Sequence, residues 1–186
     1  TSGIAVVRIS GKDAIKNVSS FIKDFPFNEK SPDSKICLLV DKDGLVFDEA
    51  VVTSYLGPNS YTGENLVEVS CHGNPNIVSK IIDLSVGGGA SLAEPGEFTK
   101  RAFLNEKLDL SEAESVSAII HSKSIAGVKA GVKNLKGGLS KRISLIKSDL
   151  VSVVANLEFN LDISDDELQP NLIKNSKSSL SKSVET

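Results

Sequence analysis

Two charged residues interrupt runs that are otherwise apolar, and a charge in such a place needs a chemical reason. Glu68 lies within the run 66–69, and Arg8 lies within the run 4–9. Both runs have the β-branched composition of strands. A carboxylate on a strand is either exposed at an edge or directed into a pocket, where it accepts hydrogen bonds. A guanidinium on a strand forms a surface ion pair or binds an anionic ligand. Both residues are therefore candidates for a binding site.

A second candidate is a basic stretch in an acidic chain. The whole chain has 21 Lys and Arg against 24 Asp and Glu, which gives a net charge of −3. Residues 115–148 nevertheless contain no acidic residue. Their basic residues are Lys123, Lys129, Lys133, Lys136, Lys141, Arg142 and Lys147. Such a stretch indicates either an anionic partner or a solvated helix face, and the charge pattern leaves both open.

Several common sites are excluded by the residues present. The Ser- and Lys-rich run 175–179 lacks the glycines of a phosphate-binding loop, and the three glycines at 87–89 lack dinucleotide-binding spacing, which indicates a linker. Cys71 and His72 resemble half of a metal site without a second half. No catalytic residue and no metal site are predicted in this chain. Two cysteines in total indicate a reducing compartment, and no apolar run is long enough to span a membrane.

The residues up to 110 predict an α+β domain that positions these side chains. Strands are predicted at 3–10, 35–40, 45–55 and 66–70, and helices at 13–22 and from Pro75 onward. Asp43-Gly44 predicts a hairpin turn between the second and third strands. We expect one α/β domain with a mixed sheet over residues 1–110.

Residues 111–186 predict a helical domain instead. From Val128 to Leu157 apolar residues recur in steps of three and four, which places them along one helical seam. Gly137-Gly138 predicts a kink or break in that helix. Residues 111–114 have the pattern of a capping box, which predicts a helix start at Ser111. The seam must pack against other helices, and a weak candidate at 173–184 is not enough, so we expect the chain to be part of a longer protein.

Four segments combine glycine, polar and aromatic residues in an unusual way. They are GIAVVRISG at 3–11, GPNSYTGE at 57–64, CHG at 71–73 and PGEFTKRAFLNEKLDLSEAE at 95–114. In these segments the chain resembles the MnmE (TrmE) family of tRNA-modifying GTPases, and the resemblance extends from Gly3 to about Leu168. It implies an N-terminal folate-binding domain over 1–110 and the outgoing arm of a helical domain over 111–186. The GTPase domain and a C-terminal cysteine motif are expected outside this chain.

The resemblance implies a function in modifying the wobble uridine of tRNA. In such a protein GTP would be hydrolysed with Mg²⁺ and K⁺ in the GTPase domain, and FAD would be carried by a partner of the MnmG family. The N-terminal domain would bind 5-formyl- or 5,10-methylene-tetrahydrofolate as a one-carbon donor. The protein would be a cytoplasmic homodimer that acts on tRNA without a membrane. The basic stretch would face either the tRNA or solvent.

Three folate-binding residues are implied by the matching motif positions: Arg8, Glu68 and Lys107. A carboxylate such as Glu68 can accept paired N–H bonds from the pyrimidine edge of a pterin, and Arg8 and Lys107 supply cations for the two carboxylates of the folate tail. Two alternatives stay open. The chain is a scaffold for dimerisation and tRNA docking without folate, or a folate domain of the glycine-cleavage aminomethyltransferase type.

Overall fold

The computed structural model describes residues 2–25, 27 and 31–162. The chain divides into two compact units, Thr1–Asp109 and Leu110–Thr186. In the described part, the first unit consists of β1 (Ile4–Ser10), α1 (Ala14–Ser19), β2 (Asp33–Val40), β3 (Val46–Tyr55), β4 (Leu66–His72), α2 (Pro75–Gly87) and α3 (Glu97–Leu104). The second consists of α4 (Leu110–His121), α5 (Ile125–Leu135) and α6 (Gly138–Asp162). The helical candidate at 173–184 lies outside the described residues.

The sheet of the first unit has the strand order β1-β4-β3-β2. The expected α+β class is confirmed, but the sheet is antiparallel throughout rather than mixed. The connections explain this difference. Strands β2 and β3 form the predicted hairpin, β4 returns beside β3, and β1 lies on the far side of β4. No pair of neighbouring strands is joined by the helical crossover that a parallel pair requires.

Helices α1 and α2 pack on one face of this sheet and enclose the core. Alternate residues of β4, namely Val67, Val69 and Cys71, point into it and are at most 2% exposed. The core also contains the fully buried residues Val18, Phe21, Leu39, Val52 and Ile81. The residues that alternate with the core residues along each strand therefore form a second face of the sheet, which carries Arg8 and Glu68.

That second face keeps several large apolar side chains in contact with solvent. We call Ile4, Val6, Ile36, Leu38 and Val51 the open-face patch. They are 69%, 53%, 71%, 38% and 43% exposed, respectively. Several large exposed apolar side chains on one face of a sheet are typical of an interaction surface.

Helix α1 is shorter than the sequence predicted. The hydroxyls of Ser19 and Ser20 donate to the carbonyls of Lys16 and Asn17 at 2.7 Å each, which competes with continued helix formation. The chain then joins the edge of β2, where Ile22 forms a bridge with Leu39. The apolar residue that suggested another helical turn is therefore buried against the sheet.

A nearly buried carboxylate ties β3 to the end of β4. The Asp48 side chain is 6% exposed and accepts hydrogen bonds from His72 Nδ1 at 2.6 Å and from the His72 amide at 3.1 Å. His72 is thus part of an acid–imidazole pair. Burial alone would raise the pKa of Asp48, but the hydrogen bonds from His72, together with the Glu49 amide, hold that pKa below its ordinary value.

The Asp48 pair predicts a specific acid sensitivity. Because the folded-state pKa is depressed, the contribution of Asp48 to stability is present above the unfolded pKa of about 3.9 and is lost as the pH falls through the folded value. We expect Asp48→Asn to lower the free energy of unfolding by about 1–3 kcal/mol at pH 7, and by less at pH 3. Urea unfolding at both pH values tests this. Asp83→Asn, at an exposed position, is the control, and an Asp48→Asn deficit that is the same at both pH values would contradict the prediction.

The helices of the second unit correct one boundary and confirm a break. Helix α4 begins at Leu110, so Ser111 lies inside the first turn, where its carbonyl accepts from the Ser115 hydroxyl at 2.7 Å. The predicted capping box is therefore wrong. The predicted break is confirmed, because α5 ends at Leu135 and α6 begins at Gly138, with Gly137 at φ 78°. None of the described helices combines the length and hydropathy required to cross a membrane.

Candidate functional site

Arg8 and Glu68 lie directly opposite each other on β1 and β4. Arg8 Nε donates to Glu68 Oε1 at 2.6 Å. The Arg8 side chain is 50% exposed and that of Glu68 is 22% exposed. The hydroxyl of Tyr55, on β3, approaches the second carboxylate oxygen at 3.5 Å. The structure thus brings two of the three predicted site residues into contact on the open face.

This pair keeps hydrogen-bonding capacity for a ligand. In the described ranges the two terminal nitrogens of Arg8 form no hydrogen bond or ion pair with protein groups. Within the same ranges Glu68 Oε2 has one hydrogen bond, the long one from Tyr55. A pair exposed to this degree stabilises a fold by about 1 kcal/mol or less. Fold stability alone is therefore a weak reason for these two charges.

Lys107 lies elsewhere in the first unit. Its amide donates to the Ala102 carbonyl at 2.8 Å, and its side chain is exposed. Its Cγ lies 3.2 Å from where a Cβ on Gly63 would be, and Gly63 has φ +78°. Both the space and the backbone therefore require glycine at this position. Among the described residues, no hydrogen bond or ion pair joins Lys107 to Arg8 or Glu68.

The loop 57–65 connects Lys107 to the strand that carries Arg8. Ser10, two residues after Arg8 on the same side of β1, is hydrogen-bonded to the Thr62 hydroxyl at 2.6 Å. Thr62 is fully buried, and its carbonyl accepts from Asn105 Nδ2 at 2.7 Å. The residues beside Lys107 and the end of β1 are therefore fixed by one loop.

A charged network secures this loop to α3. Arg101 binds Glu97 at 2.7 Å and Glu64 at 3.2 Å, and Glu64 also accepts from Ser10 at 3.0 Å. The hydrogen bond with Arg101 lowers the pKa of Glu97. The pKa of Arg101 is raised, first by its bond with Glu97 and, against the opposing effect of burial, by Glu64. Glu97 and Arg101 therefore hold each other in their charged forms.

Sequence reasoning gave no roles to Ser10, Thr62, Glu64 and Arg101. All four lie inside the quoted segments 3–11, 57–64 and 95–114. The sequence therefore marked these residues only as members of the motif segments. Their function as loop anchors becomes visible only once β1, the loop and α3 are adjacent.

A cavity of about 870 Å³ borders Arg8 on the side of β1 that faces helices α1 and α2. It lies between the free edge of β1, helices α1 and α2 and the segment 88–93, and Glu64 and Arg101 also line it. Its volume falls in the range of small-molecule sites. Glu68 and Lys107 do not line it, so Arg8 stands between this cavity and the open face.

Comparisons with known proteins cover both units. The family model described as GTP-binding protein TrmE N-terminus matches residues 1–107, and the model described as MnmE helical domain matches residues 110–186. The chain is similar to a tRNA modification GTPase MnmE from Thermotoga petrophila, with 44% identity over 163 residues, 88% of this chain and 36% of the relative. It is also similar to the protein of that name from Aquifex aeolicus, with 42% identity over 173 residues, 93% of this chain and 38% of the relative.

The chain thus spans somewhat more than a third of the length of these relatives. The first matched model ends at residue 107 and the second begins at residue 110, within two residues of the boundary between the structural units at Asp109 and Leu110. The segments that carry the resemblance, at 3–11, 57–64 and 95–114, are also those that build the loop and ion-pair network of the first unit. Fold, motifs and comparisons therefore agree that this chain belongs to the MnmE (TrmE) family of tRNA modification GTPases.

Proposed function

We propose that this chain is the tetrahydrofolate-binding and dimerising part of a tRNA modification GTPase. The names of its relatives support the overall role. GTP hydrolysis with Mg²⁺ and K⁺ is assigned to a domain outside this chain, and FAD to a partner of the MnmG family. The protein would act on tRNA in the cytoplasm. Because both matched models belong to this one family, they do not support an aminomethyltransferase.

The observation that carries folate binding is the Arg8–Glu68 pair. Its two groups are 2.6 Å apart, so both would contact the same end of an elongated ligand. The pyrimidine edge of a reduced pterin offers adjacent N–H donors and a carbonyl acceptor. Glu68 would accept from the donors, and the terminal nitrogens of Arg8 would donate to the carbonyl. This revises the expected role of Arg8, which was to bind the folate tail.

Lys107 is then the cation for the other end of the ligand. It is exposed, has no described ion-pair partner and is separated from the Arg8–Glu68 pair by the anchored loop 57–65. Its ammonium would bind a tail carboxylate as a point charge. A ligand with a donor edge at one end and carboxylates at the other matches this arrangement.

The binding itself is tested by calorimetric titration of the whole protein with 5-formyltetrahydrofolate. We expect one site per chain with a measurable heat. Absence of binding, in protein that hydrolyses GTP and binds tRNA, would favour a dimerisation and tRNA-docking scaffold.

The open-face patch supports the homodimer. Its apolar side chains lie on one side of the Arg8–Glu68 pair, in which the opposite charges offset each other. An apolar surface of this kind can pack against a second copy of itself, as an interface around a two-fold axis requires. Within the described residues, the outer edge of β1 pairs with no further strand, and stable proteins cover or protect such edges.

A further inference from the structure

We infer that the solvent side of α5 binds the phosphate backbone of a folded RNA. We call Lys129, Lys133 and Lys136 the lysine face. The inference rests on the proposed function, in which the protein acts on a tRNA, and it names the surface that holds this RNA.

The packing of α5 fixes the direction of the lysine face. A Cβ on Gly131 would lie 2.5 Å from Ile119 Cγ1, so α5 approaches α4 closely along its glycine side. Gly127, one turn earlier, faces the Ser122 hydroxyl in the same way. At about 100° per residue, the three lysines lie within an arc of about 60° on the side opposite these glycines. The packing against α4 therefore turns the lysine face toward solvent.

The lysine face has no charge partner within the described residues. All three side chains are exposed, and none forms a hydrogen bond or ion pair there. Its nearest neighbours in the chain cannot neutralise it, because residues 115–148 contain no acid. The lysines span about 10 Å along the helix. A row of three positive charges of this length, without an ion pair in the described part of the chain, is an attractive surface for a polyanion.

The composition favours nucleic acid over an acidic protein. Protein interfaces are enriched in aromatic residues and depleted in Lys. No Phe, Tyr or Trp occurs between Phe103 and Phe159. Phosphate contacts that position a nucleic acid need only flexible cations, which lysines provide. The absence of aromatic residues also argues against stacking on unpaired bases and for contact with the backbone.

A salt titration tests the inference. Binding of fluorescently labelled, unmodified tRNA to the whole protein is measured by anisotropy between about 50 and 200 mM KCl. In this range phosphate contacts make the affinity depend strongly on salt. In Lys129→Gln/Lys133→Gln/Lys136→Gln we expect affinity to fall about tenfold or more. The slope of log K against log[salt] should become shallower by about two to three. Gln keeps a helix propensity close to that of Lys.

The matched control is Lys23→Gln/Lys42→Gln/Lys100→Gln. These lysines are exposed in the first unit, and their loss changes the net charge by the same amount. We expect this control to retain the wild-type slope. An equal change in both variants would show a general charge effect and overturn the inference.

Two further readouts separate the possible failures. A lysine-face variant with an unchanged tRNA slope but weaker binding of the flavin-dependent partner would overturn the inference in favour of a protein partner. Wild-type protein that binds no tRNA would also overturn it. Folate titration of the same samples is independent, because loss of folate binding in the wild type would contradict the folate proposal and leave the lysine face supported.

Discussion

Replacing Glu68 with Gln is expected to weaken binding of 5-formyltetrahydrofolate to the whole protein by about tenfold to a hundredfold. A hydrogen bond to a charged group contributes about 1.5–3 kcal/mol, and about 1.4 kcal/mol corresponds to a factor of ten. The amide has one oxygen where the carboxylate has two, and its NH₂ group would face the N–H donors of the pterin. It also cannot hold the Arg8 guanidinium as an ion pair.

Arg8→Gln should produce a loss of similar size, and the double variant should lose less than the sum. The two side chains are in direct contact, so their effects are coupled. Arg8→Lys tests the geometry, because it keeps the charge but removes the planar set of donors. Calorimetric titration measures all four proteins.

Glu49→Gln is the matched control for charge on this surface. Glu49 is an exposed acid on β3, paired in register with Leu38 of the open-face patch. We expect it to bind folate as the wild type does. Thermal unfolding should be nearly unchanged in every variant, since exposed ion pairs contribute little to stability. Affinities of the Glu68 and Arg8 variants within about twofold of wild type would show that the pair is not the folate site.

The sequence predicted that these two residues matter but not that they touch. A charge inside an apolar strand is visible in a single run, such as 66–69. Contact between Arg8 and Glu68 depends on the strand order and on the register of β1 with β4, which bring together residues 60 positions apart. A register shift of one residue would place the two side chains on opposite faces. Local patterns do not contain that information.

The helical predictions succeeded where a local effect dominates. The break before α6 was predicted because two consecutive glycines, 137 and 138, have a low helix propensity. In the structure Gly137 adopts a left-handed conformation there. The end of α1 was predicted at residue 22 and lies at Ser19, and the start of α4 was predicted at Ser111 and lies at Leu110. In α1 the sheet edge captured Ile22. In α4 a helix start at Leu110 replaced the capping box at Ser111.

The lysine face could be predicted only in part. The sequence indicated the acid-free basic stretch, but a single helix through 129–147 would also have aligned Lys147 with it. The break at Gly137 places Lys147 on a separate helix, α6. The glycines of α5 allow a close approach to α4, which places the three lysines on the solvent side of α5. The spacing of apolar residues in the sequence does not indicate this close approach.

Introducing a charge into the open-face patch is expected to dissociate the proposed homodimer. Val6 lies on β1 opposite Ser70 and is 53% exposed, so Val6→Asp should be tolerated by the fold of one chain. In a dimer that buries this face, the new carboxylate would lose its hydration among apolar side chains, at a cost of several kcal/mol. We expect the dissociation constant to rise at least about a hundredfold. Sedimentation equilibrium measures it, and circular dichroism checks the fold.

A second substitution tests how much of the face is buried. Ile36 lies on β2, at the opposite edge of the sheet, and is 71% exposed. If the whole face forms the interface, Ile36→Asp should dissociate the dimer as strongly as Val6→Asp does. If only the Val6 variant dissociates, the interface is confined to β1 and β4, beside the Arg8–Glu68 pair. Leu45→Asp is the control, because Leu45 is 67% exposed in the turn between β2 and β3. A wild-type monomer at tens of micromolar, or dimers in all three variants, would show that the open-face patch does not mediate dimerisation.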